Sequence, residues 1–448
     1  MNRLKLTKKF GIYECLCLLL LYMPFHYYIC ECMIKGTKID NSLKDIIIFT
    51  LFIFTLLKSK FKVRKHDIIV MINCLIVLLF AICSLIMHNY PGTINIIRTY
   101  VIPQLIFIIC SQLKINDKQY SYINKIVVVE LSLIAIYGVF QAFILGDKFL
   151  VKLGYPSDGY YLSSASYYIS GFFGHQRSVG TFVSPNVCGV ILVISICVYL
   201  YSNTLVIKRK KMILFFLIVG LIATFSRSAI VGLALSIVIV NYLSEKKIHI
   251  SKRIIIIGTS SIAVGCLAVV YVDSHYFSGL YGNMILRSLT SALDKTDPSA
   301  VAHMENLIEP LSEIFYHPFG FGFGNNGPMA LEYTSNAKVV ESSFYLMIYE
   351  LGLFFGILFF IPYFCVIADT IRNRKYKNFL PAAISIAVCF TYILLPNVQT
   401  FEILFYSYMY MGFYYNPNIR KTYYESKINN ENVLKIDKKV IKESRRML

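Results

Sequence analysis

Long apolar runs, broken by short polar and mostly basic interruptions, recur along nearly the whole chain. A hydrocarbon core of about 30 Å is crossed by about 20 helical residues. About twelve runs approach that length, near residues 10–30, 43–57, 68–87, 92–111, 125–146, 183–202, 211–226, 228–243, 253–272, 343–368, 379–395 and 398–416. The second and seventh are short. The pattern predicts an all-α, polytopic integral membrane protein of about 12 transmembrane helices, filling residues 1–416. Two interruptions are long, 147–182 and 273–342. The second is not featureless: in DPSAVAHMENLIEPLSEIFYH, Val301, Met304, Leu307, Ile308 and Leu311 fall at helical spacing, which predicts an amphipathic helix lying on the membrane face. Asp297, Pro298 and Ser299 suit its start, and Pro318 with Gly320, Gly322 and Gly324 punctuates its end.

Composition supports this reading: of 448 residues, 56% are hydrophobic and only 15% charged, with mean hydropathy +0.60. The basic amino terminus followed by an apolar run resembles a signal peptide, but the run is long and no small-residue cleavage site follows, so it is expected to remain as the first helix. The net charge of +19 could suggest a nucleic-acid partner. Most of the lysines and arginines, however, fall in KSKFKVRK, KINDKQYSYINK, KRKK, EKKIHISKR, RNRKYK and the two ends of the chain. All of these lie on one side if the helices alternate. That side is expected to be the cytoplasm of a cell whose plasma membrane holds the protein, with both termini and the basic tail 417–448 inside. The partner implied by the charge is the lipid bilayer, and no nucleic acid is expected. The 12 cysteines are scattered, most of them in apolar runs, without metal-ligand spacing, so no metal is expected.

The same alternation places 147–182, the turn at 226–228 and 273–342 on the outer side. The titratable residues there are His175, Arg177, Arg227, Arg287, His303, Glu305, His317 and Glu341. Arg227, in ATFSRSAIVG, stands between two apolar runs with almost no polar loop. A charge at the centre of a bilayer costs roughly 2.5–3.5 kcal/mol on the most lenient scale. Such an arginine either snorkels to lipid phosphate or lines a protein pocket in which its fork holds a phosphate or diphosphate. Arg177, in HQRSVGTFVSPN, and Arg287, in ILRSLTS, are the candidates to join it. GFGFG is a poor nucleotide loop, because no strand precedes it and no Gly-Lys-Ser/Thr follows. Its glycines suit a close turn or the approach of backbone amides to an anion.

Taken in order across residues 174–356, GHQRSVGTFVSPNVCG, ATFSRSAIVG, DPSAVAH, HPFGFGFGNN and ESSFYLMIYELGLFFG resemble the O-antigen ligase and Wzy-type polysaccharide polymerase superfamily. The resemblance implies a multi-helix glycosyltransferase that takes a glycan from a polyprenyl diphosphate carrier and joins it to an acceptor sugar on the outer face, with no cofactor. The arginine of the family's R-x-x-G element falls on Arg177, and its Ser-Arg arginine on Arg227. Where the family often has an arginine after D-x-S, this chain has His303. Where ligases carry a His-Asn pair, it has Glu341 and Ser342, which leans toward polymerase.

The expected diphosphate-binding set is therefore Arg177, Arg227 and Arg287. Glu341 and His303 are the candidate catalytic residues, with Glu341 expected to be partly desolvated and so suited to act as a base. Asn186, Gly320, Gly322 and Gly324 are expected to shape the loops or meet the acceptor. The expected partners are a polyprenyl-diphosphate-linked oligosaccharide and an acceptor glycan; chain length is set either by the enzyme or by a chain-length regulator. The alternatives are ligase-type transfer to another acceptor and a flippase of lipid-linked oligosaccharide. A flippase should carry its polar residues near mid-bilayer in broken helices.

Overall fold

The computed structural model describes residues 11–33, 38–58, 61–87, 92–157, 175–244, 298–324, 326–333 and 337–420, with short pieces between 165 and 172 and between 279 and 284. Fourteen α-helices are labelled here: α1 Ile12–Tyr22, α2 Lys38–Lys58, α3 Lys65–Met87, α4 Thr93–Gln112, α5 Asp117–Phe140, α6 Asp147–Leu153, α7 Pro185–Tyr201, α8 Lys210–Ala223, α9 Arg227–Leu243, α10 Pro298–Ile314, α11 Ser343–Leu358, α12 Ile361–Arg372, α13 Leu380–Leu394 and α14 Phe401–Tyr415. No strand occurs among the described residues; two isolated bridges pair Tyr168 with Gln176 and Asn326 with Lys338.

Eleven of the expected apolar runs fold as helices at the expected places, while the run at 253–272 lies outside the described residues. Among the described residues, four helical stretches are both long and apolar enough to cross a membrane: 65–87, 93–112, 117–145 and 343–372. About twelve crossings are expected from the sequence; these four have the length and hydropathy a crossing needs, and the apolar helices at 12–25, 185–201, 227–243 and 380–394 are shorter. Several apolar helices are shorter than the runs that announced them, because caps and turns consume the ends.

Membrane character shows in which residues face inward. Along α3 the buried positions Val70, Cys74, Val77, Ala81 and Ser84 include small and polar side chains, while Leu75, Leu79, Ile82 and Ile86 point outward. A water-facing helix would reverse that arrangement; here the outer surface is as apolar as the seam, as lipid requires. At the centre lies α14, with every residue buried, packed against α4. Close approach there depends on Gly412, since a Cβ at that position would meet Phe107 O and the Cys110 side chain. Two of the helix's tyrosines bond to neighbouring helices: Tyr410 donates to Asn124 Oδ1 at 3.1 Å and Tyr415 to Asp369 Oδ2 at 2.9 Å.

Inter-helix hydrogen bonds define the two ends of the bundle. At one end the Arg64 guanidinium donates to Ser111 O and Tyr415 O, and Asn416 Nδ2 to Cys110 O and Leu113 O, satisfying the last carbonyls of α4 and α14. Ser121 also reaches Thr204 O, and Asn203 reaches Lys377 O. The basic connections around 61–65, 113–118, 202–211 and 372–379 therefore gather at this one end.

At the opposite end the chain between α10 and α11 turns inward. The segment read as one span at 343–368 is broken at Gly352, which has φ 80° and ψ 167°. The carbonyls of Tyr349 and Glu350 accept from the amides of Phe321 (2.7 Å) and Gly322 (3.2 Å), and Leu353 N donates to Pro318 O at 3.1 Å. The glycine segment thus repairs the break in α11, which is how irregular backbone is tolerated at depth. A Cβ on Gly320 would lie 2.5 Å from Gly352 N. The amide of Phe323 goes to Ser84 Oγ at 2.8 Å, its carbonyl accepts from Thr93 Oγ1 at 2.8 Å, and the buried Glu350 carboxylate accepts from Tyr100 at 3.0 Å.

The backbone of Gly352 lies in a region nearly exclusive to glycine, worth about 1–3 kcal/mol of strain for any other residue, and a Cβ there would also strike Pro318 O. Gly352→Ala is expected to lower thermal stability in detergent well beyond Gly146→Ala. Gly146 has a similar φ of 72° but nothing within 4 Å of its Cβ position. Equal melting temperatures for the two variants would show that the loop does not clamp the break.

The amphipathic helix expected near 298–314 is present as α10, with Val301, Met304 and Ile308 exposed. Lys338 holds it, donating to Glu309 Oε1 at 2.9 Å and Glu313 Oε1 at 2.7 Å, while Tyr349 donates to Glu313 Oε2 at 2.7 Å. The Lys338 and Tyr349 hydrogen bonds hold the Glu313 carboxyl below its usual range.

Candidate functional site

Residues 175–184 form a strap across the end of the bundle away from the basic connections. Arg177 N donates to Tyr167 O at 2.7 Å and Ser178 N to Ala223 O at 2.9 Å, so the strap docks on the turn between α8 and α9. Gln141, in the turn that follows α5, clamps it, its carbonyl accepting from Gln176 Nε2 and its Oε1 from Gly180 N, both at 3.1 Å. Thr181 Oγ1 donates to Pro24 O at 2.6 Å, fixing the strap to the turn after α1.

These bonds aim Arg177 at the turn. Its Nε donates to Thr224 O at 2.8 Å, Nη2 to Asn186 Oδ1 at 2.8 Å and Nη1 to Ser166 O at 3.4 Å. All three acceptors are neutral carbonyl oxygens, and no ion pair of Arg177 occurs among the described residues. Arg227 stands at the first position of α9, exposed, after a tight turn in which Phe225 takes φ 49°. The two guanidinium groups are near enough to repel. Burial, together with the Arg227 charge, brings Arg177 down to about 10, which leaves it cationic at neutral pH.

Backbone adds to this charge. The helices α7 and α9 begin side by side: Ser184 caps α7, accepting from Val187 N, and Ser226 precedes Arg227. Gly189 allows the contact, since a Cβ there would lie 2.9 Å from the Ser226 Cβ and 3.1 Å from that of Ala229. Two helix amino termini, each with the positive end of its dipole, thus flank two guanidinium groups. That arrangement favours an anion larger than a single carboxylate.

The other expected residues are placed differently. Asn186 is a direct partner of Arg177. Glu341 is half-buried just before α11; its amide donates to Asn306 O of α10 at 3.4 Å, and Ser342 caps α11. Ser343 N meets Leu395 O at 3.1 Å, at the end of α13, and α13 packs along α9 through Gly232. Glu341 and Arg227 therefore share one end of the bundle, on either side of α13. His303 lies on α10, the helix that Glu341 touches, while Arg287 lies outside the described residues. Gly320, Gly322 and Gly324 all have positive φ, and the amides of Phe321, Gly322 and Phe323 are taken by protein acceptors. Their contribution is to seat the loop. No metal-holding group of His, Cys, Asp and Glu occurs among the described residues.

Sequence reasoning missed two clusters at this end. One is Glu350 with Tyr100 beneath the glycine segment. The other joins Lys44, Asp45, Arg98 and Glu402 across α2, α4 and α14. Lone charges within apolar runs were the available signal.

No curated protein matches the chain. Residues 212–361 match the family model described as O-antigen ligase, a stretch running from α8 through Arg227, α10 and the glycine segment into α12. Arg177 and Asn186 fall before it and join it only through the fold. Residues 212–361, about a third of the chain, are thus similar to the O-antigen ligase family.

Proposed function

We propose that the protein transfers oligosaccharide repeat units from a polyprenyl diphosphate carrier to an acceptor glycan at the outer face of the plasma membrane. The observation that carries this is the convergence of Arg177 and Arg227 with the amino termini of α7 and α9. A sugar on a diphosphate is already activated, so the protein needs chiefly to hold the departing anion and to accept one proton. The acceptor hydroxyl oxygen forms a bond to the anomeric carbon. The bond from that carbon to the diphosphate oxygen breaks, and its electron pair leaves with the carrier diphosphate. The hydroxyl proton passes to the Glu341 carboxylate, or to His303 on the neighbouring α10. Arg177 and Arg227 bear the charge that accumulates on the leaving group.

Orientation follows from charge. The basic connections gathered at the opposite end support a cytoplasmic assignment for that end and an outer one for the arginine seat. Polymerase is favoured over ligase by Glu341 and Ser342 standing where ligases carry His-Asn. The family description itself favours the ligase reading, which differs only in the acceptor. Membranes containing the chain, supplied with polyprenyl-diphosphate-linked repeats, are expected to form a ladder of glycan lengths and release polyprenyl diphosphate in step. One transfer per non-carrier acceptor would mark a ligase; movement of donor across the bilayer without a new glycosidic bond would refute transfer.

A further inference from the structure

The cluster around Arg98 sits in the wall of the bundle at the arginine end. Arg98 Nε donates to Asp45 Oδ2 at 2.6 Å and Nη1 to Asn95 Oδ1 at 3.1 Å, and Asn95 Nδ2 in turn donates to the Tyr333 hydroxyl. Lys44 Nζ lies 3.9 Å from Asp45 Oδ1 and 4.7 Å from the centre of the Phe401 ring, with Glu402 beside it. Asp45 is 9% exposed, and its Oδ1 has no hydrogen-bond partner among the described residues. The Arg98 side chain, 29% exposed, marks where the cluster opens. His26 feels both Lys44 and Arg98, and Pro24, two residues earlier, holds the strap that carries Arg177.

Withdrawing an ion from water costs several kcal/mol even when it is paired, and apolar side chains would close this wall without that cost. Charged groups within membrane helices are expected to serve a ligand or a path. The composition of the cluster points to which ligand. Two cations and two carboxylates balance, so the cluster lacks the excess positive charge that a diphosphate needs, in contrast to the Arg177 and Arg227 seat. What it offers is a dense mixture of donors and acceptors beside the half-buried ring of Tyr333, which suits the hydroxyls and apolar ring faces of a sugar.

We infer that the cluster of Lys44, Asp45, Arg98 and Asn95, with Tyr333, binds the terminal sugars of the acceptor glycan. This rests on the transferase reading, and it divides the two substrates between two places: carrier phosphates at Arg177 and Arg227, acceptor hydroxyls at Arg98.

The chain contains no tryptophan, so Leu331→Trp, at an exposed site two residues from Tyr333, supplies a single emitter. The full-length protein in detergent is titrated with carrier-free repeat oligosaccharide, released by mild acid from the lipid-linked pool of the source cell, and separately with inorganic diphosphate, whose binding is followed by calorimetry. A saturable emission change with the oligosaccharide is expected. Arg98→Lys keeps a cation for Asp45 but loses the fork, and should weaken oligosaccharide binding about tenfold, the worth of roughly one charge-assisted hydrogen bond, while diphosphate binding stays unchanged. Arg177→Ala should show the reverse. Unchanged oligosaccharide affinity in Arg98→Lys, loss of both ligands together, or no saturable change in the parent would each overturn the assignment. Failure of the diphosphate arm alone would count against the donor seat instead.

Discussion

Arg227→Ala is expected to abolish long polymer while single lipid-linked repeat units persist or accumulate. The residue heads α9 beside Arg177, and in the proposed transfer each guanidinium would supply donors to the same accumulating negative charge. Removing one preorganised donor of a developing anion typically costs about 10²–10³ in rate, enough to collapse a ladder to its first rungs. Arg177→Ala should be at least as severe, because it also unties Asn186 and the Thr224 carbonyl. Lysine at either place tests the fork: a point charge restores part of the attraction without the paired geometry, so Arg227→Lys should recover some short polymer. The measurement is the distribution of glycan lengths from cells carrying each variant, at matched protein levels. A normal ladder from Arg227→Ala would remove this residue from the reaction.

Glu341→Gln should separate chemistry from binding. Gln keeps the shape and the polar contacts near α10 but cannot accept the acceptor's proton as a base. Loss of general base catalysis is worth about 10²–10⁴ in rate, whereas donor affinity should move less than about twofold if the phosphates are held elsewhere. Single-turnover transfer by the purified protein, with donor binding measured in parallel, reads both quantities. Equal losses in rate and affinity would make Glu341 a binding residue, and His303→Gln would then be the variant to examine as the base.

The helices were legible because burial in lipid demands long unbroken apolar stretches, and α3, α4 and α5 lie where hydropathy puts them. The pairing of Arg177 with the turn before Arg227 was legible as two motifs but not as a contact, since nothing local in HQRSVG announces that its backbone will meet Ala223. The break at Gly352 was hidden for a physical reason. LGLFFG is uniformly apolar, and hydropathy cannot tell a continuous helix from one whose missing bonds are supplied by a loop earlier in the chain. The same holds for Asp45: its charge was visible, while the Arg98 that balances it lies on another helix. Pairing between distant segments, rather than the nature of any one segment, escaped the sequence.

Burial of the whole of α14 has a consequence for biogenesis. This helix is translated after the thirteen labelled helices that precede it, yet it occupies the middle of the assembly they build. The contacts that α14 makes with earlier segments, those to Asn124 and Asp369 among them, can form only once it has been made. A chain halted before residue 401 would lack all of them and would expose to lipid the surfaces that this helix covers.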